Sequence, residues 1–210
     1  MADDIVLAAT YWPSNAYLIE DCARLGYLRS EWKTLDATFG RGVWWTRWKP
    51  NNLVIHDLAI DGVDFRNLPH DNAEFDAIAF DPPFVSVGGR KTTTIPEFHQ
   101  RFGMTDAPKS PAELQEMINL GLHEMARVIK PRGIMVAKCQ DYISSGKLWN
   151  GTFKTQLAAM EAGFSLIDKF EHISKTSRPQ PERTRADGKE SIQMHARRNM
   201  STLLILQKIR

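Results

Sequence analysis

The chain has 210 residues, 42% of them hydrophobic and 25% charged, with a formal net charge of +2. That is enough apolar material for one globular domain with a complete core, and too even a charge balance to announce a nucleic-acid partner by bulk electrostatics. The acidic start MADDIVLAATYWPSN holds too short an apolar run for a signal peptide or membrane span, and Cys22 and Cys139 form neither a CxxC pair nor a metal spacing; the expectation is a cytoplasmic protein without membrane association or metal.

Residues 14–29 read as a helix, capped by Ser14 or Asn15, with Leu18, Cys22 and Leu25 at helical spacing. TLDATFGRG (34–42) reads as a short strand entering a glycine turn. A helix is then expected to carry Trp44, Trp45 and Trp48, two of them packing on the sheet. NLVIHDLAI (52–60) is an apolar strand containing Asp57, and GVDFRNLP (62–69) a short extended piece with a turn. FDAIAF (75–80) is a buried strand that ends in Asp81-Pro82-Pro83-Phe84. Residues 111–129 form an amphipathic helix opened by Pro111, with KPRG (130–133) as its stop. IMVAKC (134–139) is a strand, 153–163 a helix closed by Gly163, and 164–172 and 201–209 two final strands.

Alternating strands and helices predict an α/β fold with a mainly parallel sheet, and the last two strands an antiparallel pair at its edge. Ligands of open α/β sheets lie at the carboxyl ends of the strands. The Gly40-Arg41-Gly42 turn and the Asp81 turn both fall there. Trp45 stands where a GxGxxG fingerprint needs its third glycine, and Asp36 beside the turn repels phosphate but suits an ammonium-bearing ligand. A plain tight turn is the alternative. Asp57 is placed to accept from ribose hydroxyls, or else is a cap or surface acid. Asp64-Phe65 suits an adenine amino group and ring, or else a turn acid beside a core Phe. The two prolines of Asp81-Pro82-Pro83-Phe84 fix φ twice and remove two donors. They present the Asp81 carboxylate and the Pro82 carbonyl as acceptors beside the flat face of Phe84, which is what holding an exocyclic amine on a planar base requires.

Taken together, these residues resemble the class I S-adenosylmethionine-dependent amino-methyltransferases. LDATFGRG resembles their D-x-F-x-G-x-G motif at Asp36, Gly40 and Gly42, with Phe39 in place of the aromatic one position earlier, where Thr38 stands. Asp57 resembles the ribose acid, Asp64-Phe65 the adenine-contacting pair, and Asp81-Pro82-Pro83-Phe84 the catalytic motif. KPRGIMVAKCQDYISSG and HARRNMSTLLIL resemble small phage and actinobacterial DNA methylases. The resemblance implies S-adenosyl-L-methionine as cofactor. It also implies a Rossmann-like three-layer sandwich, with a mostly parallel seven-stranded sheet and an antiparallel last strand, as a single domain over 1–210. The segment ahead of the first strand, with Trp12, is expected to close over the methionine end of the cofactor.

The implied reaction is methyl transfer to an exocyclic amine of a DNA base, adenine N6 being favoured by the Asp in the motif. A cytosine-N4 DNA enzyme and an RNA enzyme (guanine N2 or adenine N6) are the alternatives, and a binding-only subunit and a small-molecule methyltransferase compete from other classes. Two basic segments are the expected nucleic-acid contacts: a mobile loop over 85–110 with Gly88, Gly89, Arg90 and Lys91, and a loop over 172–199 with seven Lys/Arg against three acids. Lys138 and Asp141 are candidate pocket residues, and both cysteines are expected in the core.

Overall fold

The computed structural model describes residues 11–84, 108–173 and 200–210. Helix α1 (Asn15–Arg24) starts after Ser14 and buries Leu18, Ile19 and Cys22. Strands β1 (Lys33–Asp36), β2 (Asn52–Ile55) and β3 (Phe75–Phe80) follow, with β1 between the other two and parallel to both. Helix α2 (Pro111–Val128) has Pro at its first position and a Ser110 hydroxyl that accepts from the Glu113 N–H. It buries Leu114, Met117, Ile118, Leu122, Met125 and Val128, each side chain adding about 1.5–3 kcal/mol of apolar burial. The chain continues through β4 (Ile129–Cys139), a hairpin of β5 (Tyr142–Ser144) and β6 (Lys147–Trp149), and helix α3 (Gly151–Glu161). It closes with β7 (Phe164–Ile173) and β8 (Met200–Lys208).

The main sheet has the order β2-β1-β3-β4-β8-β7. β4 is parallel to β3, whereas β8 is antiparallel to both its neighbours. The expected antiparallel pair is therefore present, but β8 lies inside the sheet and β7 forms the edge. Composition explains this. β8 is buried over five successive residues, as a strand covered on both faces must be, while β7 mixes exposed and buried positions.

Side chains alternate between two cores, as the pleat requires. Leu35, Ile78, Phe80, Met135 and Leu204 face α2 and α3. Ala77, Ala79, Val136, Leu203 and Ile205 face α1, Trp44 and Trp45. Helices on both faces give the anticipated three layers.

Several expectations fail locally. The main sheet has six strands among the described residues, not seven, because 62–69 forms turns. There Asp61 Oδ1 accepts from the Asp57 and Val63 N–H groups and Asp64 Oδ1 from the Arg66 N–H, so acid side chains occupy the donors a strand would use. The helix after the glycine turn shrinks to one 3₁₀ turn, Val43–Trp45, ahead of Pro50. Helix α2 ends at Val128 as expected, and the stop that follows it, KPRG, belongs to the next element. It lies within β4, with Arg132 at φ 65 and a register jump where β4 meets Phe75 and Ala77 of β3. The predicted segments 85–110 and 172–199 fall outside the described residues over 85–107 and 174–199.

Candidate active site at the carboxyl ends of the parallel strands

The first two parallel strands end in acids that organise the glycine turn. Asp36 closes β1 and is 4% exposed. Its Oδ1 accepts from the Thr38 N–H (3.0 Å) and its Oδ2 from the Trp45 indole N–H (2.6 Å). Asp57, just beyond β2, is 8% exposed; Oδ2 accepts from the Gly40 N–H (2.8 Å) and Oδ1 from the Ala59 N–H (2.9 Å). His56 stitches the two strand ends together: its N–H donates to the Asp36 carbonyl and its carbonyl accepts from the Phe39 N–H.

Gly40 and Gly42 sit at φ 54 and 66, in the left-handed region that suits glycine. The second is needed for space as well. A Cβ on Gly42 would lie 2.5 Å from the Phe39 ring, whereas one on Gly40 would meet nothing closer than 3.9 Å. Phe39 therefore packs across the turn and sets its width.

Asp81-Pro82-Pro83-Phe84 follows β3 directly, with both prolines buried and Asp81 and Phe84 half-buried. Thr38, the position that departs from the resembled motif, ties this turn to the first: its hydroxyl accepts from the Asp81 N–H at 2.8 Å. Three carboxylates thus share one edge of the sheet. Burial drives the pKa of Asp36 up to about 7; the bonds from Trp45 and Thr38 oppose this, and the charges of Asp81 and then Asp57 add to it. A ligand with positive charge relieves that repulsion. The donor set accordingly fits a sulfonium and ammonium carrier such as S-adenosylmethionine, and is a poor match for a phosphate-rich cofactor.

Not every anticipated residue joins this cluster. Asp64 pairs with the Arg66 guanidinium; burial acts to raise its pKa, but Arg66 outweighs this and holds it low. Phe65 is 8% exposed and lies in the core, edge-on to Phe80 at 5.3 Å and against Gly121. Trp12 is buried too, donating to Asp21 and edge-packed on Phe170 and His172, so it belongs to the α1 core rather than to a cofactor lid. Trp44 and Trp45 pack on the sheet as expected, and Trp45 also serves Asp36. Cys22 and Cys139 are buried, and burial pushes the Cys139 thiol up to about 12.

The sequence reading missed the β5–β6 hairpin. A narrow cavity beside Phe84 is lined by Tyr142 and Trp149 of that hairpin, by Gln140 and Lys138 at the end of β4, and by Gln115 of α2. Lys138 donates to the Asn15 side chain at 2.6 Å, and Asp141 accepts from the Thr152 N–H at the start of α3. The available signal was Ser145-Gly146 between YIS and KLW, both at positive φ as a tight hairpin turn demands.

No family model matches the sequence. No curated protein matches it either. Solved structures do resemble it. The [4+2]-cyclase SpnF superposes with a TM-score of 0.52 at 14% identity, covering 92% of this chain and 81% of that one. A candidate sarcosine dimethylglycine methyltransferase from Galdieria sulphuraria gives 0.51 at 12% identity, with 92% and 84% covered. A candidate DNA modification methylase from Thermus thermophilus, solved with S-adenosyl-L-methionine, gives 0.45 at 14% identity; the match covers 69% of this chain and 53% of that one, about half its length. Among the described residues no helix is long and apolar enough to cross a membrane. The chain has a methyltransferase-like Rossmann fold: a mostly parallel sheet whose last strand is antiparallel, helices on both faces, and its acids and glycine turn along the carboxyl edge.

Proposed function

We propose that this protein is an S-adenosylmethionine-dependent methyltransferase acting on an exocyclic amine of a base in DNA, with adenine N6 as the acceptor. The observation that carries this reading is the junction of two turns. The Asp81-Pro82-Pro83-Phe84 turn and the glycine turn leave adjacent parallel strands and are held together by the Thr38–Asp81 bond. The cofactor, when bound, supplies an electrophilic methyl group. Asp57, Gly40 and Gly42 form its cradle, and Asp36 fixes the cradle's shape while contributing negative charge. The acceptor base leaves the duplex stack, since its amine is out of reach inside it. Phe84 packs on the ring; the Asp81 carboxylate and the Pro82 carbonyl accept from the amine and leave its lone pair pointed at the methyl. Positioning and stabilisation of the positive charge that develops on nitrogen account for the rate, with no covalent enzyme intermediate. Neither buried cysteine is asked to react.

Methyl-labelled S-adenosylmethionine is incubated with unmodified DNA or with tRNA and rRNA, and nucleosides are identified by mass spectrometry, with Asp81→Ala as control. Label in N6-methyladenine from DNA, lost in the variant, is expected. N4-methylcytosine corrects the base, label only in RNA corrects the partner, and label in neither pool despite cofactor binding refutes the reading.

A further inference from the structure

Helix α3 carries its large apolar side chains on the outside. The face it buries consists of Gly151, Thr155, Ala158 and Ala159. Phe153, Leu157 and Met160 stand 54, 41 and 50% exposed. At about 100° per residue these three fall within about 60° of arc, roughly opposite the buried face. A surface helix ordinarily turns its bulk to the core and polar residues to water, so a helix apolar on both sides calls for cover on both. The half-exposed stripe leaves about 300 Å² of apolar surface, a size typical of functional patches.

The charges beside the stripe say what covers it. Lys154 and Glu161 are both exposed. They lie on the same flank of the stripe, about two turns apart. Among the described residues Glu161 has no ion-pair partner, while Lys154 rests over the Trp149 ring at 4.8 Å. A two-fold axis perpendicular to α3 near Leu157 lays the helix antiparallel on its own copy. That operation keeps each flank on its own side and exchanges the ends. Lys154 then meets the partner's Glu161, twice over, and Phe153 meets the Met160 end of the other stripe. We propose that α3 is the contact of a two-fold homodimer, in which Phe153, Leu157 and Met160 of two copies pack antiparallel and Lys154 pairs with the partner's Glu161. Edge strand β7 offers a second route to self-association, but exposed Lys169 and the irregularity between Leu166 and Asp168 oppose strand addition there. Pairing through α3 leaves the cavity beside Phe84 open, because Gly151 and Thr155 line it from the opposite face of the helix. A helix about 16 Å long buries roughly half of the 1,600 Å² of a standard interface, so the dimer is weak and dissociates on dilution.

The test is sedimentation velocity on the untagged full chain, loaded from about 1 to 500 µM. A monomer–dimer equilibrium in the micromolar range is expected, and Leu157→Lys should abolish it. Lys154→Glu and Glu161→Lys each set like charges opposite one another twice, and each should weaken association about tenfold. An equimolar mixture of those two variants should regain wild-type association, because each copy then offers the other the opposite charge. A chain that stays monomeric throughout, a dimer that Leu157→Lys leaves unchanged, or a mixture no tighter than the separate variants overturns the proposal. All three substituted side chains are exposed, and thermal unfolding checks that each variant is folded. The wild-type series is decisive on its own if one is not.

Discussion

Gly42→Ala and Gly40→Ala separate the two reasons for glycine in the turn. Both positions have φ in the left-handed region, which costs a residue with a Cβ about 1–2 kcal/mol. Only at Gly42 does that Cβ strike something, the Phe39 ring at 2.5, 3.0 and 3.1 Å. Phe39 has little freedom to yield, because it packs against the α1-side core, its N–H donates to the His56 carbonyl and its own carbonyl accepts from the Gly42 N–H. Overpacking of that kind adds about 1–3 kcal/mol. Urea unfolding should therefore show Gly40→Ala destabilised by about 1–2 kcal/mol and Gly42→Ala by about 2–5 kcal/mol, at unchanged m. The excess should vanish when Phe39→Leu is combined with Gly42→Ala, since the colliding ring is gone. Calorimetry with S-adenosylmethionine should show the greater loss of affinity in Gly42→Ala. Equal destabilisation by the two glycine substitutions, or no rescue in the double variant, refutes the argument that Phe39 sets the width of the turn.

The other expectations concern the acids. Trp45→Phe removes the indole donor from Asp36, a loss of about 1–3 kcal/mol when the carboxylate is charged. Since Asp36 is raised to about 7 in the folded chain, its ionisation costs stability as pH climbs from the unfolded value toward 7; urea midpoints should show the Trp45→Phe penalty near pH 8 and a smaller one near pH 6. An equal penalty at both pH values would remove Asp36 as the cause. Binding of a cationic cofactor lowers the Asp36 pKa, so near neutral pH it should release protons, read as a dependence of calorimetric enthalpy on the buffer's ionisation enthalpy that Asp36→Asn abolishes. Enthalpies independent of buffer would count against a cationic ligand there. Thr38→Val leaves the Asp81 N–H without its acceptor; kcat for base methylation should fall while cofactor affinity changes little, and the reverse pattern would place Thr38 in the cradle instead.

Much of the candidate site was legible because its signals are local. Glycine at Gly40 and Gly42, prolines at Pro82 and Pro83, and acids at strand ends act through backbone constraints that need no distant partner. Other residues make contacts that their motifs do not show. Asp64 and Phe65 looked like a ligand pair, yet Arg66 takes the acid and a Gly121 without a Cβ leaves the ring room in the core. Trp12 looked like a lid, yet Phe170 and His172, far along the chain, bury it. Thr38 looked like a departure from a motif, and the structure makes it the link between the two turns.

By itself, then, the sequence determined the layered α/β class, the identity of the buried strands and the two turns at their carboxyl ends, because hydrophobic periodicity and backbone chemistry are written into neighbouring residues. Tertiary structure decided which strand lies inside the sheet, which acids face one another, and where Asp36, Thr38 and His56 find their partners. Strand order and buried charge are set by contacts between distant segments, and their energies exist only once water has been excluded from between them.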